Sequence, residues 1–199
     1  MSHPESANKM RWLWFLPALL FLGLVVFMGS RLGEDPNHLP SALVGHDIPS
    51  FDLPMLSGND EKLSNTELLA MFKGEYFLIN VWASWCPSCY QEHSYLMHLS
   101  GLIDIAGINY KDTNNEAINF LSQQGNPFAV VIVDQQGSLG MDLGVTGAPE
   151  TFLVDSQGKI LQRYQGDMNE AVWQQKFIPL MVSMDQNDSA LPGNLEEDY

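Results

Sequence analysis

Residues 76–89 read YFLINVWASWCPSC, and the change of character inside this stretch decides the fold. Tyr76 to Ala83 is mostly apolar and β-prone, as a strand buried on both faces should be. Directly after it come Trp85-Cys86-Pro87-Ser88-Cys89, which hold the only two cysteines of the chain. From Pro87 to about Leu102 the pattern is helical, and a proline suits a first helical turn because its missing N–H costs little there. The stretch therefore predicts a strand that runs straight into a helix, with Cys86 at the helix N-terminus. Unpaired backbone N–H groups and the positive end of the helix dipole favour a thiolate at that position. The thiolate is the attacking species in disulfide exchange. Cys89, most of a turn later, is expected to face back towards Cys86.

Outward from this unit, strands and helices alternate. Upstream, Ile48 to Leu56 suggests an extended stretch ended by Ser57-Gly58, and Ser64 with Glu67 is a capping-box signature for a short helix stopping near Gly74. Downstream, Ile105 to Tyr110 and Ala129 to Asp134 read as strands. Between them Thr113 with Glu116 predicts a second capping box and a helix to about Gln124. Glu150 to Asp155 and Lys159 to Tyr164 read as a hairpin around Ser156-Gln157-Gly158, and Asn169 to Met184 as a closing helix. The first strands need crossover helices and hence parallel pairing, and the hairpin adds antiparallel strands at one side. The expected fold class is α/β, a central mixed sheet flanked by helices, with a β extension at its N-terminal side.

The chain has 199 residues, 45% of them apolar, enough for one ordinary domain with a packed core plus an extension. Its formal charge is −15, and from Leu32 onward six basic residues face 23 acidic ones, a net of −17. Such a surface repels phosphate backbones, which sets nucleic-acid binding aside. It favours neutral or basic protein partners, or serves solubility alone.

Trp12 to Ser30 (WLWFLPALLFLGLVVFMGS) carries no charge. As a helix it would span roughly 28 Å, close to bilayer hydrocarbon thickness. Lys9 and Arg11 precede it and Arg31, Glu34 and Asp35 follow. The expectation is an uncleaved single-pass anchor in the inner (cytoplasmic) membrane, with a cytoplasmic N-terminus and the domain facing the periplasm. The predicted organisation is residues 1–11 cytoplasmic, 12–30 transmembrane, 31–42 linker, 43–184 folded domain and 185–199 an acidic disordered tail.

The dithiol has two readings at this level. A bare C-x-x-C is weak evidence for redox chemistry, but after an apolar strand and with no other cysteine it is strong. Cys86, Cys89, His93 and His98 also form a string of metal-ligating types. Cys89 and His93 share a helix face while His98 points elsewhere, which disfavours a closed zinc site. Copper or haem-iron contact by soft thiolates stays open. Gly147-Ala148-Pro149, just before a strand, is a second candidate element, its proline cis or trans.

NVWASWCPSC, the following EH, GINYKD, GVTGAPETFLVD and GDMNEAVW together resemble the CcmG/DsbE family of thiol:disulfide interchange proteins. The resemblance runs from the N-terminal apolar run to about Met184. It implies a thioredoxin fold and a membrane-tethered reductant serving cytochrome c maturation. It further implies that Cys86 is the exposed nucleophile, Cys89 the buried resolving thiol, and Pro149 a cis-proline that sets the Ala148 backbone beside Cys86, where an extended substrate segment can pair with it. Trp85, Pro87, Ser88, Glu92, Ala148, Pro149 and Glu150 become candidates for the substrate groove and for tuning of the thiols. A carboxylate near the thiols raises their pKa. Cytosolic thioredoxins carry a buried Asp where this chain has Asn80, so Glu92 is the candidate proton acceptor, unless it is merely an exposed helix carboxylate. Trp85 either shields the site or packs in the core.

The implied reaction is reduction of apocytochrome c C-x-x-C-H disulfides, or of their mixed disulfides with maturation proteins, followed by re-reduction through a membrane electron donor. No bound cofactor is implied. Three alternatives remain: a broad periplasmic disulfide reductase (or one serving copper-enzyme assembly), a metal or haem chaperone using the dithiol as ligands, and a strong oxidant.

Overall fold

The computed structural model describes residues 15–31, 43–56, 61–72, 74 and 76–189. The chain divides into two compact units, Met1–Leu39 and Pro40–Tyr199. In the first, α1 (Leu16–Arg31) is a helix of 16 residues with its apolar side chains exposed. This corrects the expectation of a single-pass anchor in the inner membrane. At 1.5 Å per residue α1 is about 24 Å long, whereas a bilayer core of about 30 Å calls for about 20 apolar residues. No helix among the described residues is long and apolar enough to cross a membrane. Trp12 to Trp14 of the uncharged run lie outside the described residues, as does the predicted cytoplasmic N-terminus. Of the predicted linker only Arg31 is described, as the last residue of α1.

The second unit is built on strand β3 (Tyr76–Trp82), buried on both faces apart from its first residue. β3 pairs in parallel with β4 (Ile105–Tyr110), and β4 in parallel with β5 (Val130–Asp134). On its other side β3 pairs antiparallel with β6 (Glu150–Asp155), which pairs antiparallel with β7 (Ile160–Gln165). The order is β5-β4-β3-β6-β7, the expected mixed sheet. A period of two splits β3 between two cores. Leu78 and Trp82 meet α3 (Pro87–Leu99), α4 (Asn114–Gln124) and the C-terminal helix through Leu96, Leu99, Phe120 and Phe177. Phe77, Ile79 and Val81 join Leu63, Leu68 and Leu139 on the opposite face.

Leu68 belongs to α2 (Asn65–Met71) and Leu139 to α5 (Ser138–Asp142), a helix the sequence pattern did not predict. The β extension is a two-stranded sheet of β1 (Asp52–Pro54) and β2 (Lys62–Ser64), paired antiparallel. The capping box at α2 is formed: Ser64 Oγ accepts from Glu67 N at 3.3 Å and Glu67 Oε2 accepts from Ser64 N at 2.8 Å. Ser64→Ala is expected to lower stability by about 1 kcal/mol, read from the urea midpoint at unchanged slope. At α4 only half of the predicted box exists. Thr113 Oγ1 accepts from Glu116 N, but the Thr113 N–H goes to Asp112 Oδ1 at 2.8 Å, which leaves Glu116 no donor there.

The closing helix is interrupted. α6 (Glu170–Val172) passes into a π-helical turn, Trp173–Phe177, and then into α7 (Ile178–Ser189). Trp173 and Phe177 stack in the core with centroids 5.7 Å apart. Pro179 follows at once and cannot donate to a carbonyl a turn back, so the ladder is disturbed where the widened turn sits. α7 carries the helix five residues past the predicted boundary at Met184, into the segment expected to be a tail; residues 190–199 of that tail lie outside the described residues.

Candidate functional site

Cys86 is the N-cap of α3 and Pro87 its first residue, so the helix begins on the redox pair itself. Cys86 and Cys89 form a disulfide with Cα atoms 5.3 Å apart. Cys89 N–H donates to Cys86 Sγ at 3.2 Å, the contact expected of a capping sulfur facing the free amides of a first turn. Both residues are 2% exposed. The expectation of an exposed Cys86 beside a buried Cys89 is therefore not met in the disulfide, where each sulfur covers the other.

The turn before Cys86 is held from outside. Trp85 is 54% exposed, and its indole N–H donates to Lys111 O at 3.0 Å. It is a rim residue and not part of the core. Pro87 is exposed and Ser88 half-buried beside it.

Ala148-Pro149 is a cis peptide bond, and Ala148 packs against the cluster that contains both cysteines. The sheet register explains the proximity. Glu150 pairs with Val81, so Pro149 lies across from the end of β3, and Cys86 N–H bonds back to Ala83 O at 3.3 Å.

Glu150 is buried, but its charge is compensated. Arg163 Nε and Nη2 both meet Oε2 at 2.8 Å. Oε1 accepts from Thr146 N at 2.8 Å, Thr146 Oγ1 at 2.9 Å and Gly147 N at 3.3 Å. Its visible work is to shape the loop that presents Pro149, and Arg163 reinforces it by donating to Gly144 O at 2.7 Å.

Glu92 differs. It lies on α3 one helical row from Cys89 and is 1% exposed, not the surface carboxylate that a helix position often gives. Oε2 accepts from Met168 N at 2.7 Å and Oε1 from Asn80 Nδ2 at 3.0 Å, while Asn80 Nδ2 also donates to Thr151 Oγ1 at 3.1 Å. Burial outweighs these hydrogen bonds and pushes the Glu92 carboxyl up to about 7. No cation pairs with it among the described residues, so it can hold or give up a proton near neutrality.

His93 points away from the dithiol. Its Nε2 lies 3.0 Å from Gly125 O, its ring packs edge-on against Phe120, and burial lowers its pKa. His98 is exposed, and among the described residues no group of three or more His, Cys, Asp or Glu is placed to hold a metal. Two clefts lie away from the dithiol: one of about 690 Å³ is lined by Tyr76, Leu102 and Trp173, another of about 540 Å³ by Met55, Ile118 and Phe128.

A dithiol capping a helix that follows a central strand, with a cis-proline across from that strand's end, defines a thiol-disulfide oxidoreductase of the thioredoxin-like fold. The Redoxin family model matches residues 43–176. The thiol:disulfide interchange protein DsbE of Yersinia pestis is 45% identical over 186 residues, covering 90% of this chain and 96% of that protein. DsbE of Escherichia coli K12 is 43% identical over 171 residues, covering 83% of this chain and 91% of its own length. A crystal structure described as DsbE from Chlorobium tepidum superposes with a TM-score of 0.56 at 27% identity, over 69% of this chain and 97% of that one. The chain belongs to the CcmG/DsbE family of thiol:disulfide interchange proteins.

Four participants escaped the sequence reading: Asn80 as a bridge to Thr151, the Met168 amide, Arg163 and Asp112. The first three come together only through pairing across 71 to 76 residues or across a hairpin. Asp112 was visible inside GINYKD, but nothing in that string says what its carboxylate holds.

Proposed function

We propose that this oxidoreductase is a dithiol reductant of apocytochrome c C-x-x-C-H disulfides, or of their mixed disulfides, during cytochrome c maturation, with residues 43–184 as its catalytic unit. The observation that carries it is the Cys86–Cys89 pair at the start of α3, next to the cis-proline loop and the buried Glu92. The identity with DsbE proteins and the GINYKD and GAPET strings support the choice of substrate.

In this reading the Cys86 thiolate attacks one sulfur of the partner's disulfide. A mixed disulfide forms and the partner's other sulfur leaves as a thiolate. Cys89 then gives its proton to Glu92 and attacks the Cys86 sulfur. The internal disulfide forms, the second partner thiolate is released, and two electrons have passed to the partner. A membrane dithiol donor restores the reduced pair by the reverse exchange. The Ala148 backbone pairs strand to strand with the extended substrate, while Trp85, Pro87 and Ser88 line its path.

Cys89→Ala removes the resolving thiol, so the mixed disulfide on Cys86 will persist in the host and can be isolated. Capture of apocytochromes c or their maturation proteins is the expected result. A scatter of unrelated proteins would make this a general reductase. Capture of nothing, with metal or haem bound to the purified wild-type protein, would leave the dithiol as a ligand pair.

A further inference from the structure

We propose that Lys111 and Asp112 form a clamp that fixes the Trp85 ring for contact with a peptide disulfide, and so set selectivity for peptide over small-molecule disulfides. The proposal rests on the groove reading above. Asp112 is 6% exposed, and its two oxygens accept four hydrogen bonds. They come from Ser84 N at 2.7 Å, Ser84 Oγ at 2.9 Å, Asn109 Nδ2 at 3.0 Å and Thr113 N at 2.8 Å. Two of the four reach across to the turn that delivers Cys86, and two tie the carboxylate into its own loop.

Lys111 takes the other half. Its φ of 49° is the only positive φ of a non-glycine among the described residues. Left-handed backbone at a lysine is disfavoured, persists only where surroundings fix it, and gathers at functional loops. Here Lys111 N–H is held by Asp134 O at 3.0 Å, and Lys111 O accepts the Trp85 indole N–H at 3.0 Å. Ser84 and Trp85 are thus gripped at a backbone amide, a hydroxyl and an indole by two consecutive residues of one loop.

Core packing does not account for the arrangement, because the ring being held is half exposed. A large apolar ring locked beside a reactive sulfur loses little rotamer freedom when a chain settles on it, which is where preorganisation strengthens binding. A small disulfide that meets only the sulfur gains nothing from the ring. Asp112 is therefore a positioning residue that acts through Ser84 and Trp85.

The test compares a disulfide-bonded C-x-x-C-H peptide with oxidised glutathione as substrates of the reduced full chain. Trp85→Ala is expected to raise KM for the peptide about tenfold, a single-hot-spot loss, and to lower the peptide-to-glutathione ratio of kcat/KM by the same factor. Asp112→Asn should reproduce that KM effect, and the double variant should show no more than Trp85→Ala alone. Ser84→Ala, which removes one of the four bonds, should give a smaller rise in the same direction and keeps the test in force if Asp112→Asn does not fold. If Trp85→Ala leaves the ratio unchanged, the groove reading fails and takes this inference with it. If Trp85→Ala acts but Asp112→Asn and Ser84→Ala do not, or if their effects add to it or fall on kcat with both substrates alike, only the clamp is overturned.

Discussion

Between about pH 4 and pH 8, the disulfide-bonded wild-type protein will lose on the order of 3 kcal/mol of stability relative to its Glu92→Gln variant. The sign follows from the direction of the shift. The folded state holds the Glu92 carboxyl near 7, above the ordinary value of 4.5, because burial penalises the charge. Across that window the native state binds more protons than the unfolded chain, so stability falls as pH rises from the unfolded pKa through the folded one. Gln cannot ionise and shows no such slope. At low pH the two proteins are close, since a protonated acid and an amide are both neutral and each keeps a carbonyl oxygen that accepts from the Asn80 or Met168 N–H groups. The measurement is urea unfolding of both oxidised proteins across this range, reading the pH dependence of the difference and not its absolute value. Parallel curves would mean that Glu92 keeps its charge in the fold.

The same titration predicts kinetics. A carboxylate near 7 on the helical row next to Cys89 suits a general base at neutral pH. Resolution of a preformed mixed disulfide on Cys86 should slow about 100-fold in Glu92→Gln at pH 7, within the range for a lost general base. The rate inflection near that pH should vanish. Rapid mixing followed by tryptophan fluorescence reads the step, and an inflection that survives in the variant would assign the proton to another group.

Local patterns in the sequence settled the local structure. The apolar run Tyr76 to Ala83, the dithiol and the helix after it were legible because a buried strand, a proline at the first helical position and a helical pattern each leave a short-range mark. The hairpin of β6 and β7 was legible from its Gln157-Gly158 turn. What failed was what depends on competition between partners. Thr113 and Glu116 spelled a capping box, yet Asp112 stands one residue nearer and took the amide. The sequence offered Glu92 and Glu150 as tuning carboxylates and Glu92 as the proton acceptor, but not how buried or how compensated either one is. Only the fold separates them, by giving Glu150 an arginine from β7 and giving Glu92 only amide donors. The uncharged N-terminal run had the composition of a span, yet among the described residues its helix covers only Leu16–Arg31, because composition alone does not fix a helix's length.

Arg163→Leu will cost about 3–5 kcal/mol, the range for leaving a buried charge without its partner. Glu150 stays at 1% exposure with one oxygen that has lost both guanidinium contacts. Repulsion is not the cause; the uncompensated desolvation of the carboxylate is. The damage should also be local. Gly144 O loses its donor, and the loop is left to the bonds from Thr146 and Gly147 to Oε1 and to Gln165 Nε2, which donates to Thr146 Oγ1 and Oε1. Amide exchange at Thr146 and Gly147 should therefore accelerate more than exchange in β3 or β4. Adding Glu150→Gln to Arg163→Leu separates the two effects. The neutral amide can still accept from Thr146 through one oxygen, so the double variant should be more stable than Arg163→Leu alone although it has lost one more native side chain. If the second substitution instead lowers stability further, Glu150 is held by its loop amides and Arg163 contributes only packing over the Phe152 ring, 5.8 Å from its centroid. The pair would then be dispensable to the shape of the cis-proline loop. Disulfide exchange in Arg163→Leu decides whether that shape matters to chemistry: a peptide substrate that pairs with the Ala148 backbone needs the loop in place, so its KM should rise with loop exchange rate.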